Sequence, residues 1–170
     1  MSRIPNRWLN LLAISTLVLF VAGLYMAFLY AQTEARMVLV YRLFFFHLGA
    51  IIASTVAILV VDGAGIAYLR TNARAWDRVG EASAEIGVLF GTIGLITGSL
   101  WARPVWGAWW TWDPRLTTFL ILWFIYVAYL MLRASARDDP RVARFCAVFG
   151  ILGAVDVPIV FMSARIWRGI

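Results

Sequence analysis

The chain has one histidine, His47, and one cysteine, Cys146, so few of its side chains could hold a metal ion. A neutral imidazole is a common metal ligand, but a lone histidine is also often a buried side chain with one structural hydrogen bond. One cysteine cannot form an internal disulfide, and the chain contains no CxxC pair. We interpret Cys146 as an apolar core residue and keep both interpretations of His47 open.

Tryptophans are concentrated in the segment WARPVWGAWWTWDPRL, residues 101–116. An aromatic belt at a membrane surface accounts for one or two tryptophans per helix end, but this segment has five. If residues 106–110 form a helical turn, Trp106, Trp109 and Trp110 share one face and make a rigid aromatic shelf. Such a shelf suits a flat apolar ligand, so belt and ligand shelf both remain possible. The five residues are Trp101, Trp106, Trp109, Trp110 and Trp112.

A porphyrin would use both features, because it is flat and apolar and carries a central iron that an imidazole can bind. Its carboxylates would pair with guanidinium groups, and Arg42, Arg103 and Arg115 lie near His47 or the tryptophans in the sequence. These arginines could instead mark helix ends that face water or lipid phosphates. Asp113, followed by Pro114, is typical of a helix N-cap, which is a sufficient structural role for it.

The composition indicates an integral membrane protein. The chain has 170 residues, of which 63% are hydrophobic, and its mean hydropathy is +0.83. The net charge of +6 comes from arginines between apolar blocks, so topology explains it better than nucleic-acid binding, which we exclude. The first apolar run is too long for a signal peptide, and we expect an uncleaved first span.

We predict an all-α, polytopic transmembrane bundle, because open strands cannot cross lipid. Its aromatic segment would form a loop or a short interfacial helix on the outer face. Gly87, Gly91, Gly94 and Gly98 share one face of the third span, which favours close helix packing over a ligand groove. The five predicted spans are 8–31, 43–69, 82–101, 115–133 and 143–163.

The distribution of arginines predicts the orientation. The side that carries more of them is expected to be cytoplasmic, with the N-terminus, and His47 and the tryptophans then lie on the outer face. The cytoplasmic set is Arg3, Arg7, Arg70, Arg74, Arg78, Arg133, Arg137, Arg141 and Arg144. The outer set is Arg36, Arg42, Arg103, Arg115, Arg165 and Arg168.

No motif indicates covalent catalysis, so we do not expect an enzyme. Asp62 and Asp156 lie inside apolar spans, where carboxylates are costly and often functional. They leave open an alternative function, a transmembrane subunit that conducts haem or another solute. A haem-based electron-transfer subunit is a third possibility, although a single histidine argues against it.

The segment WGAWWTWDPRLT, residues 106–117, resembles the tryptophan-rich WWD motif of haem-handling membrane proteins in cytochrome c biogenesis. The chain resembles in particular the cytochrome c maturation protein C family (CcmC, haem exporter protein C). Three further segments carry this resemblance: TGSLWARPV before the motif, YRLFFFHLGAI around His47 and VDVPIVFMSARIWRGI near the end. The resemblance covers most of residues 40–170.

This resemblance implies that haem b is bound as cargo on the outer face of the bacterial inner membrane and passed to the haem chaperone CcmE. The protein would deliver haem together with ABC-transporter subunits of the cytochrome c maturation system. His47 matches the family's first axial ligand of the haem iron. The matching haem-binding positions in and beside the WWD motif are Arg103, Trp106, Trp109, Trp110, Trp112, Asp113 and Arg115.

The sequence departs from the family pattern at its end. The family has a second axial histidine after the fifth span and a sixth span beyond it, whereas this sequence ends at IWRGI. We therefore expect residues 1–170 to be a single transmembrane cytochrome c assembly domain without its C-terminal span. Such a chain supplies one axial ligand.

Overall fold

The computed structural model describes residues 6–32, 40–135 and 139–166, and within these residues it contains helices and no strand. Helix α1 covers Asn6–Tyr25 and continues as a π-helical segment, Met26–Tyr30. The other helices are α2 (Val40–Thr71), α3 (Arg74–Trp106), α4 (Pro114–Ser135), α5 (Pro140–Ala154) and α6 (Asp156–Ile166). The predicted all-α class is confirmed.

Five helical stretches of the described residues are long and apolar enough to cross a membrane, and α5 with most of α6 forms the fifth. Helix α2 has 32 residues. At about 1.5 Å per residue it is about 48 Å long, which exceeds the roughly 30 Å of a bilayer's hydrocarbon core. The ends of α2 therefore reach the headgroup regions. Of the arginines used to predict orientation, Arg3, Arg36, Arg137 and Arg168 lie outside the described residues.

Helix α3 is longer than the span predicted for residues 82–101. It begins at Arg74. Its first turns are amphipathic, with Asp77 and Glu81 among apolar residues, so no apolar run in the sequence marks this start. At its other end the helix continues through Pro104 to Trp106. It ends at Gly107, which adopts a left-handed conformation with φ of 75° and donates its N–H to the Arg103 carbonyl at 2.9 Å.

The fifth span is two helices rather than the continuous one predicted. Helix α5 ends at Ala154, and α6 begins at Asp156 after a single intervening residue. Pro158 explains the break, because it has no N–H to donate to the carbonyl of Ala154 and its ring clashes with that carbonyl. The break allows α6 to take its own direction against α4.

The α3 glycines face the neighbouring helices, as their spacing predicts, and α2 packs closely against them. A Cβ at Gly94 would lie 2.7 Å from Ile51 Cδ1, and one at Gly98 would lie 3.0 Å from His47 Cε1. Ser54 on α2 also donates a hydrogen bond of 2.8 Å to the Gly87 carbonyl on α3. Because the glycines of α3 have no side chains, α2 can approach α3 closely.

The core lies at mid-depth between α2, α3, α4 and the fifth span. Tyr126 is 1% exposed, and its hydroxyl donates a 2.9 Å hydrogen bond to the Gly150 carbonyl of α5. Cys146 is fully buried, as predicted for an apolar core residue. Helix α1 stands apart with no buried residue, and the π-helical segment that follows it meets α2 through the rings of Phe28 and Phe46, 5.7 Å apart.

We predict that Gly153→Ala destabilises the bundle. The new Cβ would lie 2.7 Å from Ile125 Cγ2 and 3.2 Å from Tyr126 Cε2, and the Tyr126 ring is held by its hydrogen bond. Overpacking of this kind costs about 1–3 kcal/mol, which would appear as a lower melting temperature in detergent.

The control is Gly63→Ala, because a Cβ at this helical glycine meets nothing within 4 Å. Both variants gain helix propensity, so the control should melt at or slightly above the parent temperature. Equal melting temperatures for the two variants would contradict the packing described for α4 and α5.

Candidate functional site

A cavity of about 370 Å³ lies at the end of the bundle where α3 ends and α4 begins. This volume is within the usual range of small-molecule sites. Helices α2, α3, α4 and α6 and the loop of residues 107–113 all contribute to its wall, which is mainly apolar and aromatic. His47 and four of the five clustered tryptophans meet here: Trp101, Trp106, Trp109 and Trp110.

His47 is held on the α3 side of the cavity by one ring nitrogen. Its Nδ1 lies 3.1 Å from the Gly94 carbonyl oxygen and 3.2 Å from Thr97 Oγ1. A carbonyl only accepts hydrogen bonds, so Nδ1 carries the proton and donates. Nε2 then has a free lone pair, which is the arrangement of metal-binding histidines that donate their other N–H to a carbonyl.

The imidazole of His47 fits against α3 because Gly98 has no side chain. A Cβ there would lie 3.0 Å from His47 Cε1 and 3.4 Å from Nδ1. The first distance is shorter than ordinary van der Waals contact and the second is at its lower limit, so a larger residue would displace the ring. Gly98 and Gly94 therefore position His47, one by leaving space and the other by its carbonyl.

The tryptophan segment is a helix end followed by a loop, which is one of the two predicted forms, and the helical turn considered over residues 106–110 does not form. Trp106 is the last residue of α3, and the left-handed Gly107 ends the helix. Trp109 and Trp110 belong to the loop that follows, so the short interfacial helix considered as an alternative does not form. All three tryptophans still line the cavity, because the loop folds back over its mouth.

Two indole N–H groups of the cavity wall lack a hydrogen-bond partner. They belong to Trp101 and Trp110, and both nitrogens are buried, with no partner within residues 6–32, 40–135 and 139–166. Each ring is fixed by an edge contact, Trp101 with Trp106 and Trp110 with Trp112, with centroids 5.7 Å apart in both pairs. Buried donors without partners are uncommon, so these two indoles suit a ligand with acceptor atoms.

The two arginines that flank the loop have different positions. Arg115 lines the cavity, and its guanidinium carbon is 5.7 Å from the centre of the Trp106 ring. The Arg103 guanidinium lies 5.3 Å from the centre of the Trp109 ring but is not part of the wall. Both contacts are within the range of cation–π attraction. Arg115 is thus a direct candidate for an anionic ligand group, and Arg103 supports the loop from outside.

Asp113 and Trp112 support the loop and do not line the cavity. The predicted N-cap is confirmed, since Asp113 Oδ1 accepts from the backbone N–H of Arg115 at 3.0 Å and of Leu116 at 3.1 Å. Asp113 Oδ2 accepts from the Thr111 hydroxyl at 2.8 Å. Trp112 is 76% exposed and contacts the ring of Trp110.

Several wall residues were not found from the sequence. Phe44, Ile51, Phe119, Val160 and Phe161 line the cavity as apolar residues from three different helices. Nothing in their local sequence distinguishes them from other core or lipid-facing residues. The glycines of α3 were the available signal, because they mark the face on which α2 brings His47 close.

Comparison with known proteins gives a family match over the whole chain. The family model described as "Heme exporter protein C" matches residues 1–170. The chain is 35% identical over 171 residues to Heme exporter protein C of Bradyrhizobium diazoefficiens, which covers 96% of this chain and 65% of the relative. It is 34% identical over 158 residues to Heme exporter protein C of Escherichia coli K12, which covers 92% of this chain and 64% of the relative.

A more distant relative is a plant protein. The chain is 30% identical over 128 residues to the putative cytochrome c biosynthesis ccmC-like mitochondrial protein of Marchantia polymorpha, over 75% of this chain and 54% of the relative. The chain thus spans 65%, 64% and 54% of the lengths of the three relatives.

We predict that His47 is the Nδ1–H tautomer in the protein without added ligand. The chain has one histidine, so labelling with nitrogen-15 histidine gives a single imidazole in the nitrogen NMR spectrum. The expected result is a protonated Nδ1 and an unprotonated Nε2, because the Gly94 carbonyl accepts from Nδ1. Thr97→Val, which removes the second partner only, should leave the tautomer unchanged. A proton on Nε2 in the parent protein would contradict the site described here.

Proposed function

The chain belongs to the Heme exporter protein C family, and on that premise we propose that it binds haem in the cavity beside His47 during the assembly of c-type cytochromes. Haem b is the cargo of this site, bound and released without covalent change, so the protein is not an enzyme. The observation that carries the proposal is the free Nε2 of His47 in an aromatic cavity of about 370 Å³.

The ligand set supports haem over a bare metal ion. His47 is the only imidazole in the chain. The described residues contain no group of three or more histidine, cysteine, aspartate or glutamate side chains that could hold a metal ion. One imidazole is a weak metal site by itself, whereas a porphyrin brings four nitrogen ligands and leaves an axial position for a histidine. His47 is therefore the axial ligand in this proposal.

The shape and chemistry of the wall suit a porphyrin ring. Trp106, Trp109 and Trp110 present flat apolar surface, and Phe44 and Phe119 add aromatic surface deeper in the bundle. Aromatic rings bind another flat ring by offset stacking or edge contact. The carboxylates of haem would be paired by Arg115 and by the indole N–H groups of Trp101 and Trp110, which lack partners among the described residues. Arg103 adds positive charge beside the loop.

The remaining features of the proposal concern topology and partners. We place the N-terminus in the cytoplasm and the haem site on the outer face of the bacterial inner membrane, on the bias of the arginines. Delivery to the haem chaperone CcmE and cooperation with the ABC-transporter subunits of the maturation system follow from the family resemblance. Residues 1–170 act as one haem-handling domain. Exposed Trp109 lines the cavity and exposed Trp112 contacts the ring of Trp110 beside it, and a haem acceptor would dock on these two side chains.

Binding is a better account than conduction through the bundle. The cavity reaches Leu122 on α4 and Val157 on α6. Both residues belong to the core cluster that also contains Val61, Tyr126 and Cys146, each of these three 2% exposed or less. A pore would need polar residues at matching depths through this layer. The core supports a site that opens to one side of the membrane.

The test is the haem content and absorption spectrum of the detergent-purified chain after haem addition and gel filtration. His47→Ala should lower haem retention by at least about tenfold, the equivalent of about 1.4 kcal/mol, and should change the spectrum, because the axial ligand is lost. Imidazole added to His47→Gly should restore the spectrum of the parent. Trp8→Phe on α1, an exposed tryptophan far from the cavity in sequence and structure, is the control and should retain haem.

Unchanged haem content and spectrum in His47→Ala would refute the ligand assignment. Haem bound by neither the parent chain nor its variants would refute haem binding by these residues and would leave the tryptophans as a membrane belt or docking surface.

A further inference from the structure

A second cavity, of about 270 Å³, lies at the opposite end of the bundle from His47. Its wall comes from the C-terminal ends of α2 and α4 and from the N-terminal ends of α3 and α5 with the adjoining Asp139. These ends meet where the membrane-spanning stretches finish, at the level of the lipid headgroups. Unlike the cavity beside His47, this one has a strongly polar wall.

Arg133 is the central charge of this cavity. Arg133 is one of the arginines expected on the cytoplasmic side, but it is 3% exposed and pairs with two α3 carboxylates. Its Nη2 donates to Asp77, and its Nε donates to Glu81 at 3.3 Å. Its Nη1 is buried without a hydrogen-bond partner within the described ranges. A buried guanidinium N–H without a partner is costly, so a further acceptor at this site would be stabilising.

Tyr68 is a second buried polar group on the wall. It is 4% exposed and lines the cavity, so its hydroxyl can donate a hydrogen bond to a ligand there. Tyr68 and Arg133 come from different helices, α2 and α4, and both line the same cavity. Two such groups at one cavity indicate a polar ligand.

The charges of the wall select the kind of ligand. Arg74, Arg78 and Arg133 contribute three positive charges, and Asp77, Glu81 and Asp139 contribute three negative charges. A simple anion would be repelled by the carboxylates and a simple cation by the guanidinium groups. A zwitterion meets both, with its anionic part at the arginines and its cationic part at the carboxylates.

We propose that this cavity binds the headgroup of an aminophospholipid, whose phosphate and primary ammonium groups match the two sets of charges. Arg78 and Tyr68 donate to the phosphate, and the ammonium donates to the carboxylates, among which Asp139 lies at the exposed edge. The location at headgroup depth favours a lipid, because its acyl chains can remain in the bilayer. The bound headgroup would contact the ends of four helices and hold them together. This lipid binding does not depend on haem.

The test is native mass spectrometry of the detergent-purified chain titrated with palmitoyl-oleoyl phosphatidylethanolamine, phosphatidylcholine or phosphatidylglycerol. We expect one tightly retained phosphatidylethanolamine per chain, with about tenfold higher affinity than for the other two lipids. Phosphatidylcholine has no ammonium N–H to donate, and phosphatidylglycerol has no cation. The double variant Tyr68→Phe with Arg78→Gln should lose most of this preference.

Arg70→Gln is the matched control, because Arg70 is exposed near the same end of the bundle but does not line the cavity. It should bind phosphatidylethanolamine as the parent does. An equal melting temperature of the double variant and the control in detergent separates loss of binding from loss of fold. Arg133 is left intact for the same reason, since removing it would take the paired guanidinium away from two partly buried carboxylates.

Soluble glycerophosphoethanolamine distinguishes the two sources of this headgroup chemistry. Displacement of the lipid by this compound assigns recognition to the headgroup alone, and retention of the lipid assigns it to the intact phospholipid. Equal binding of all three lipids by the parent chain would overturn the proposal. Full retention of phosphatidylethanolamine by the double variant would overturn it as well.

Discussion

Helices α2 and α3 approach each other along a face of α3 on which Gly87, Gly91, Gly94 and Gly98 have no side chains. This close contact determines where His47 can lie, because the imidazole occupies the space beside Gly98, with a Cβ–Cε1 distance of 3.0 Å for any substituent there. It also brings Nδ1 to the Gly94 carbonyl, which fixes the tautomer. The free Nε2 and the cavity beside it therefore follow from the packing of two helices, and His47 needs no charged partner for its orientation.

The rest of the cavity is made by two interruptions of helical structure. Gly107 ends α3 in a left-handed conformation, which turns Trp109 and Trp110 back over the cavity. Pro158 interrupts the fifth span, and the separate helix α6 contributes Val160 and Phe161 to the wall. A continuous fifth helix and a helical tryptophan segment would leave His47 beside an open groove. Backbone breaks thus convert a helix pair into a site that can enclose a flat ligand.

Much of the fold could be predicted from the sequence, because apolar runs of membrane length and an Asp–Pro pair are local signals. The spans and the cap at Asp113 are of this kind. The extent of α3 was missed because its first turns are amphipathic. The sequence left a loop and a short helix both possible over the tryptophans, and the left-handed Gly107 decides for the loop. The α6 wall and the burial of Arg133 between Asp77 and Glu81 depend on contacts between residues far apart in sequence, which no local pattern contains.

The most direct measurement of the central claim is pulsed electron paramagnetic resonance of the ferric haem complex of this chain, prepared with nitrogen-15 histidine. Because His47 is the only histidine, any nitrogen-15 coupling to the iron reports on that side chain alone. The account predicts a strong hyperfine coupling from one imidazole nitrogen that is bound directly to the iron. Haem that binds to the chain without any nitrogen-15 coupling would contradict it, since the iron would then have no bond to His47.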